Sequence, residues 1–168
     1  MRKIYFLCSF LISFVLATAQ KKETKDSTVY TSFKDLPLKA ERTISFDTKE
    51  GTFMSLDISP DGKTIAFDMM GDIYTVPMQG GKAKQITKGL AFDAHPRFSP
   101  DGKKLLFTSD RSGADNIWIL DFEKQDTLQL TKTNVDDYVN AIWTPDGKYI
   151  IAAKGRRTPR LWMYNIDG

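Results

Sequence analysis

Few side chains in this sequence could do chemistry, and they are not grouped as most chemistry requires. The 168 residues contain one histidine, His95. Asp93, Asp110 and Asp115 are its nearest acidic companions of interest. A His with a carboxylate can move a proton or hold a ligand. A catalytic zinc takes three protein ligands and an open position, and one His falls short of a His-rich set. No Gly-x-Ser-x-Gly elbow occurs, so a serine nucleophile of that type is not encoded here. Gly62-Lys63-Thr64 ends like a phosphate-binding loop, but Asp57 stands where the first glycine is needed. The only cysteine, Cys8, lies in an apolar leader, which removes thiol chemistry and disulfides from the rest of the chain. No catalytic residue, metal ligand or cofactor site is therefore expected within these residues.

What must position these side chains is a repeat. Ser59-Pro60-Asp61-Gly62, Ser99-Pro100-Asp101-Gly102 and Thr144-Pro145-Asp146-Gly147 are three copies of one turn, each followed by Lys. Ser or Thr opens a type I turn, Pro fixes φ at the next position, Asp tolerates the third, and Gly supplies positive φ at the fourth. Such a turn followed by a left-handed glycine is the usual three-residue hairpin loop, so each copy should join two antiparallel strands. Turn chemistry accounts for all twelve residues without a bound cation.

The repeat runs on past the turn. Thr64-Ile65-Ala66-Phe67, Lys104-Leu105-Leu106-Phe107 and Tyr149-Ile150-Ile151-Ala152 follow it. A third element carries Tyr74, Trp118 and Trp162, at intervals of 44. A fourth occurs twice, as Gln85-Ile86-Thr87-Lys88 and Gln129-Leu130-Thr131-Lys132. Four short strands per period of about 40–45 residues is the pattern of a β-propeller blade. The expected fold is all-β: a partial propeller with blades at about 51–88, 89–132 and 133–168, the last lacking its fourth strand. Residues 41–48 alternate polar and apolar and are the candidate closing strand. Propellers close with four or more blades, so the partners expected from the repeat are remaining blades of the same chain.

Residues 1–19 have the make-up of a secretory signal peptide: Arg2 and Lys3, an apolar run from Ile4 to Leu16, then Ala17-Thr18-Ala19. The protein is thus expected to be exported, periplasmic or secreted, with a loosely held segment at 20–40 and no membrane span once the leader is cleaved. The whole chain carries 24 Lys and Arg against 21 Asp and Glu. Removing the leader takes two bases, so +3 becomes +1, and no basic stripe with aromatics suggests nucleic acid. Arg156, Arg157 and Arg160 form the densest basic cluster and read as a solvated loop and strand edge.

Pro96-Arg97-Phe98-Ser99-Pro100-Asp101-Gly102-Lys103, with Phe107 to Gly113, Asn116-Ile117-Trp118 and Gln129-Leu130-Thr131, resembles the TolB-like, WD-type propeller repeat over residues 50–168. Within that group, Glu50 to Asp57, Gly71-Asp72-Ile73-Tyr74 and Ala91 to Pro96 resemble exported bacterial proteins in which the propeller precedes a metal-dependent amidohydrolase domain. The resemblance implies a zinc-type divalent metal in a downstream domain, not here. A TolB-like scaffold that binds envelope proteins, and the propeller of a prolyl-oligopeptidase-like peptidase, are the alternatives. In TolB-like repeats the position of His95 is often His or Gln, which implies a hydrogen bond to a neighbouring blade's backbone. The competing role puts His95, with Asp93 and Asp110, at the mouth of the central channel. The three tryptophans read as core.

Overall fold

A computed structural model describes residue 42 and residues 44–167. The expected signal peptide and the segment at 20–40 lie outside the described residues. Eleven strands follow in order: β1 Leu56–Ile58, β2 Thr64–Met69, β3 Asp72–Pro77, β4 Lys84–Gln85, β5 Asp93–Phe98, β6 Lys104–Ser109, β7 Asn116–Asp121, β8 Asp126–Gln129, β9 Tyr138–Trp143, β10 Tyr149–Lys154 and β11 Arg160–Asn165. They form three antiparallel meanders, β1-β2-β3-β4, β5-β6-β7-β8 and β9-β10-β11. This is a partial propeller of two four-stranded blades and one three-stranded blade. Residues 42 and 44–48 are exposed and lie outside every strand among the described residues.

The repeated turn closes in the same way each time. Gly62, Gly102 and Gly147 sit at φ 71°, 72° and 69°, where a side chain would be strained. Their N–H groups donate to Ser59, Ser99 and Thr144 at 2.8, 2.8 and 2.9 Å. The Ser59 and Ser99 hydroxyls donate to Asp61 and Asp101 at 2.6 Å. Each aspartate also accepts the N–H two residues on, from Lys63 at 3.1 Å and Lys103 at 3.0 Å. That extra bond takes the lysine into the loop. Ser59 N–H pairs with Thr64 O, so residues 60–63 form the loop, one residue longer than the three-residue form the sequence suggests.

The fourth element is shorter in the first blade than in the second. β3 ends on Pro77, which has no N–H to offer a longer β4, and the chain turns through Gly80 and Gly81 at φ 86° and 120°. The Thr of each Gln-x-Thr then has a specific task. Thr87 Oγ1 accepts Ile73 N–H at 2.8 Å, and Thr131 Oγ1 accepts Ile117 N–H at 2.9 Å. Each caps the buried start of its blade's third strand.

Two apolar layers hold the blades together. Ala66, Ile73 and Ile86 of the first blade pack on Leu105, Phe107, Trp118 and Leu120 of the second. Leu106, Ile117 and Ile119, on the second blade's other face, pack on Tyr138, Ala141, Ile150 and Ala152. β6 and β7 are therefore apolar on both faces because both are covered. Each fully buried aliphatic side chain contributes roughly 1.5–3 kcal/mol. Among the described residues the outer faces have no such cover: Leu56 and Ile58 at one end, and Ile142, Leu161 and Met163 at the other, are exposed.

The blade-to-blade step is also read in its contacts. A Cβ on Gly102 would meet Pro60 at 3.5 Å, and one on Gly147 would meet Pro100 at 3.7 Å. Phe98 N–H donates to Asp57 Oδ2 at 2.8 Å, and Trp143 Nε1 donates to Arg97 O at 3.1 Å. Gly62 meets nothing, as the first blade has no predecessor among the described residues.

Candidate binding surface on the loop face

The loops β2–β3, β6–β7 and β10–β11, and the entries to β5 and β9, lie at the end of the sheets opposite the Ser-Pro-Asp-Gly turns. Most of the titratable residues singled out above are here, but not all in the role expected. Asp93 is fully buried, its carboxylate paired with the Arg111 guanidinium, which is itself fully buried. It stands beneath this face rather than at a channel mouth. Burial pushes the Asp93 carboxyl up, opposed by Arg111 and by the Ser109 and Thr87 hydroxyls. Arg111 Nε donates to Ser109 Oγ at 3.0 Å, and the guanidinium lies 5.7 Å over Phe107 and 5.6 Å over Trp118. A planar, always-charged head that can fork and stack suits this place better than lysine.

His95 stays exposed at φ 57°, in a bulge where β5 slips register against β6 between Ala94 and Arg97. Its backbone N–H, not its ring, reaches the neighbouring blade, donating to Asp68 Oδ2 at 2.7 Å. Asp68 Oδ1 accepts Ser55 N–H at 2.9 Å, so one carboxylate ties two blades. The His95 ring shares a hydrogen bond with Thr108 Oγ1 at 3.2 Å, within its own blade. Asn140 takes the same left-handed position in β9, at φ 53°. Asn and His are among the residues that tolerate it best.

Asp110 has a structural bond: its Oδ1 accepts Phe92 N–H at 2.7 Å, clasping the crossing between the first two blades. Asp115 is exposed, yet its carboxyl is pushed up, first by desolvation and then by the charges of Asp137 and Asp110; Arg156 and His95 oppose the rise. His95, Asp110, Asp115, Asp137 and Arg156 thus share one electrostatic neighbourhood. Arg156 Nε donates to Asp137 at 3.1 Å. No group of three or more His, Cys, Asp or Glu among the described residues is placed to hold a metal ion.

Beside this cluster is a recess of about 360 Å³ lined by Asp136, Lys154, Arg156, Arg157, Arg160 and Trp162. Lys154 pairs with Asp136 at 3.1 Å and lies over the Trp162 ring at 5.2 Å. Trp162 is half exposed, so of the three tryptophans it departs from the core reading. Trp118 is buried, and Trp143 is partly buried with its N–H bonded to the preceding blade. The arginine cluster, read as solvated edge, lines a concave surface. Lys154 and Trp162 lie on the two strands of one hairpin, β10 and β11, so the recess depends on their side-chain placement and not on a sequence motif.

Comparison with known proteins agrees with this architecture. One relative, tricorn protease homolog 1 of Streptomyces coelicolor, is 32% identical over 91 residues, covering 54% of this chain and 8% of that protein. The Tol-Pal system protein TolB of Wolinella succinogenes is 26% identical over 117 residues, covering 64% of this chain and 28% of TolB. The solved structure of TolB from Acinetobacter baumannii superposes with a TM-score of 0.60 at 28% identity, covering 70% of this chain and 31% of that one. The chain thus spans less than a third of each of these proteins. The family model described as the tricorn protease N-terminal beta propeller domain matches residues 56–167, and the chain belongs to that family.

Proposed function

We propose that this chain is the non-catalytic propeller segment of an exported hydrolase, and that it gates or orients a peptide-like substrate for a catalytic centre in another domain of the same polypeptide. The observation that carries this reading is the loop face. Acidic, basic and aromatic side chains converge there around a recess, while the sequence candidates Asp93 and Asp110 are held in structural bonds. Family membership supports a hydrolase parent, since the relatives include a protein named as a protease homolog. The sequence resemblance at residues 50–57, 71–74 and 91–96 favours an amidohydrolase centre with a zinc-type metal in that further domain. Residues 41–48 would complete a blade formed by a later part of the ring. Sequencing the reading frame past codon 168 tests the proposal. A continuing frame that encodes further blades and a hydrolase domain supports it; a stop codon directly there overturns it.

A second reading is a TolB-like scaffold that recruits an envelope protein, favoured by the match to TolB. Its test is capture from envelope extract by the complete propeller. A specific partner lost on Trp162→Ala supports it, and no enrichment over a charge-reversed control refutes it.

A further inference from the structure

The turn face, opposite the loop face, carries a groove between the first and second blades of about 640 Å³. One wall is Thr75, Lys84 and Ile86; the other is Phe98 and Phe122, whose rings lie 6.2 Å apart. Asp61 and Asp101 stand on the turns at its inner end. The repeat itself shows that this groove need not be open. Thr75 pairs with Lys84 in register as Ile119 pairs with Leu128 one blade on. Where Ile119 and Leu128 line it, with Ile166 opposite, the corresponding space is divided into two smaller recesses, of about 290 and 160 Å³. A threonine and a lysine thus stand where the next blade has two large aliphatic residues.

The charges are segregated along the groove. Asp61 and Asp101 belong to the turns after the first strand of each blade, whereas Lys84 is on the outermost strand of the first. Lys84 is exposed and forms no ion pair among the described residues. The Ser59 and Ser99 hydroxyls hold Asp61 and Asp101 below the usual carboxylate range, so both stay charged at neutral pH. From the β1–β2 turn to β4 is about two and a half strand spacings, or roughly 12 Å. An extended peptide covers that in three to four residues.

We propose that this groove binds a short apolar peptide with free ends, its body on Phe98, Phe122 and Ile86, its ammonium group between Asp61 and Asp101, and its carboxylate on Lys84. A volume of this size is within the usual range for small-ligand sites. The site is independent of the loop face, so its failure would leave the proposed function standing.

Calorimetric titration of the full chain with the tripeptide alanyl-phenylalanyl-alanine tests it, alongside the N-acetylated and C-amidated forms. The free tripeptide should bind, and each cap should weaken binding about tenfold, as loss of one charged hydrogen bond does. The double substitution Thr75→Ile, Lys84→Leu copies the second blade's filling and should abolish binding while keeping the thermal melt. Lys84→Gln should bind the free and amidated peptides equally. No binding by the unaltered chain, or binding indifferent to both caps, overturns the proposal. If the filled variant does not fold, the Lys84→Gln comparison decides alone: continued discrimination against the amide overturns it.

Discussion

The buried Asp93–Arg111 pair makes a sharp quantitative demand. Both side chains are fully buried, and Asp93 begins the second blade while Arg111 follows its second strand. Arg111→Met leaves the Asp93 carboxylate buried without its counter-charge, a class of change that costs about 3–5 kcal/mol. It also removes the guanidinium from the Phe107 and Trp118 rings, worth about 1–2 kcal/mol when desolvated. A domain's whole stability is about 5–15 kcal/mol, so the loss is a large share of it. At about 3 °C per kcal/mol for a chain of this size, the midpoint should fall by about 10 °C or more.

Asp93→Asn should cost a similar amount, by stranding Arg111. The double variant should lose much less than the sum, because neither buried charge then remains. Arg111→Lys should lie between, since lysine cannot reach Ser109 and Asp93 at once with a planar fork. Urea unfolding of the four variants gives the coupling energy directly, and at least about 2 kcal/mol is expected. Single variants within about 0.5 kcal/mol of the parent, or strictly additive losses, would refute the assignment of this pair as the pin between strand and loop.

Other outcomes follow from the same contacts. Asp61, Asp101 and Asp146 are held below their ordinary carboxylate value by a Ser or Thr hydroxyl and a backbone N–H, and Asp121 is lowered to about 2, chiefly by Lys104. Because the folded values lie below the unfolded ones, their stabilisation is full above about pH 4 and is lost as pH falls through the folded values. Urea midpoints measured from pH 5 to pH 2 should therefore decline, and Ser99→Ala should reduce that slope. Gly102→Ala places a Cβ at φ 72° and 3.5 Å from Pro60, and should cost about 1–2 kcal/mol by thermal melt. The outer faces, with Leu161 79% exposed, should drive self-association of this chain at micromolar concentration. Sedimentation should show it, and Leu161→Lys with Met163→Glu should suppress it.

How much of this was legible in the sequence depends on how local each cause is. The turns were read correctly because Ser, Pro, Asp and Gly act on their own backbone. Only the loop length shifted, with the lysine two residues on donating its backbone N–H to Asp. The run Leu105-Leu106 in β6 is apolar at successive positions, and the structure covers one side chain with each neighbouring blade. Arg111 was not legible as core. In Ser109-Asp110-Arg111-Ser112-Gly113 it looks like any polar loop residue, and its burial comes from Asp93, eighteen positions away, with Phe107 and Trp118. Trp162 fails in the opposite sense. It holds the same place in the period as Trp118 and, paired with Ala152, faces the second blade as Trp118 faces the first, but Trp118 is flanked by β8 and no fourth strand flanks Trp162 among the described residues. A repeat in sequence reports the average environment of a position, so it finds the scaffold. A binding site depends on where one copy departs from that average, as Thr75 and Lys84 do from Ile119 and Leu128. Such a departure gains meaning only when strand register shows that the differing residues face the same groove.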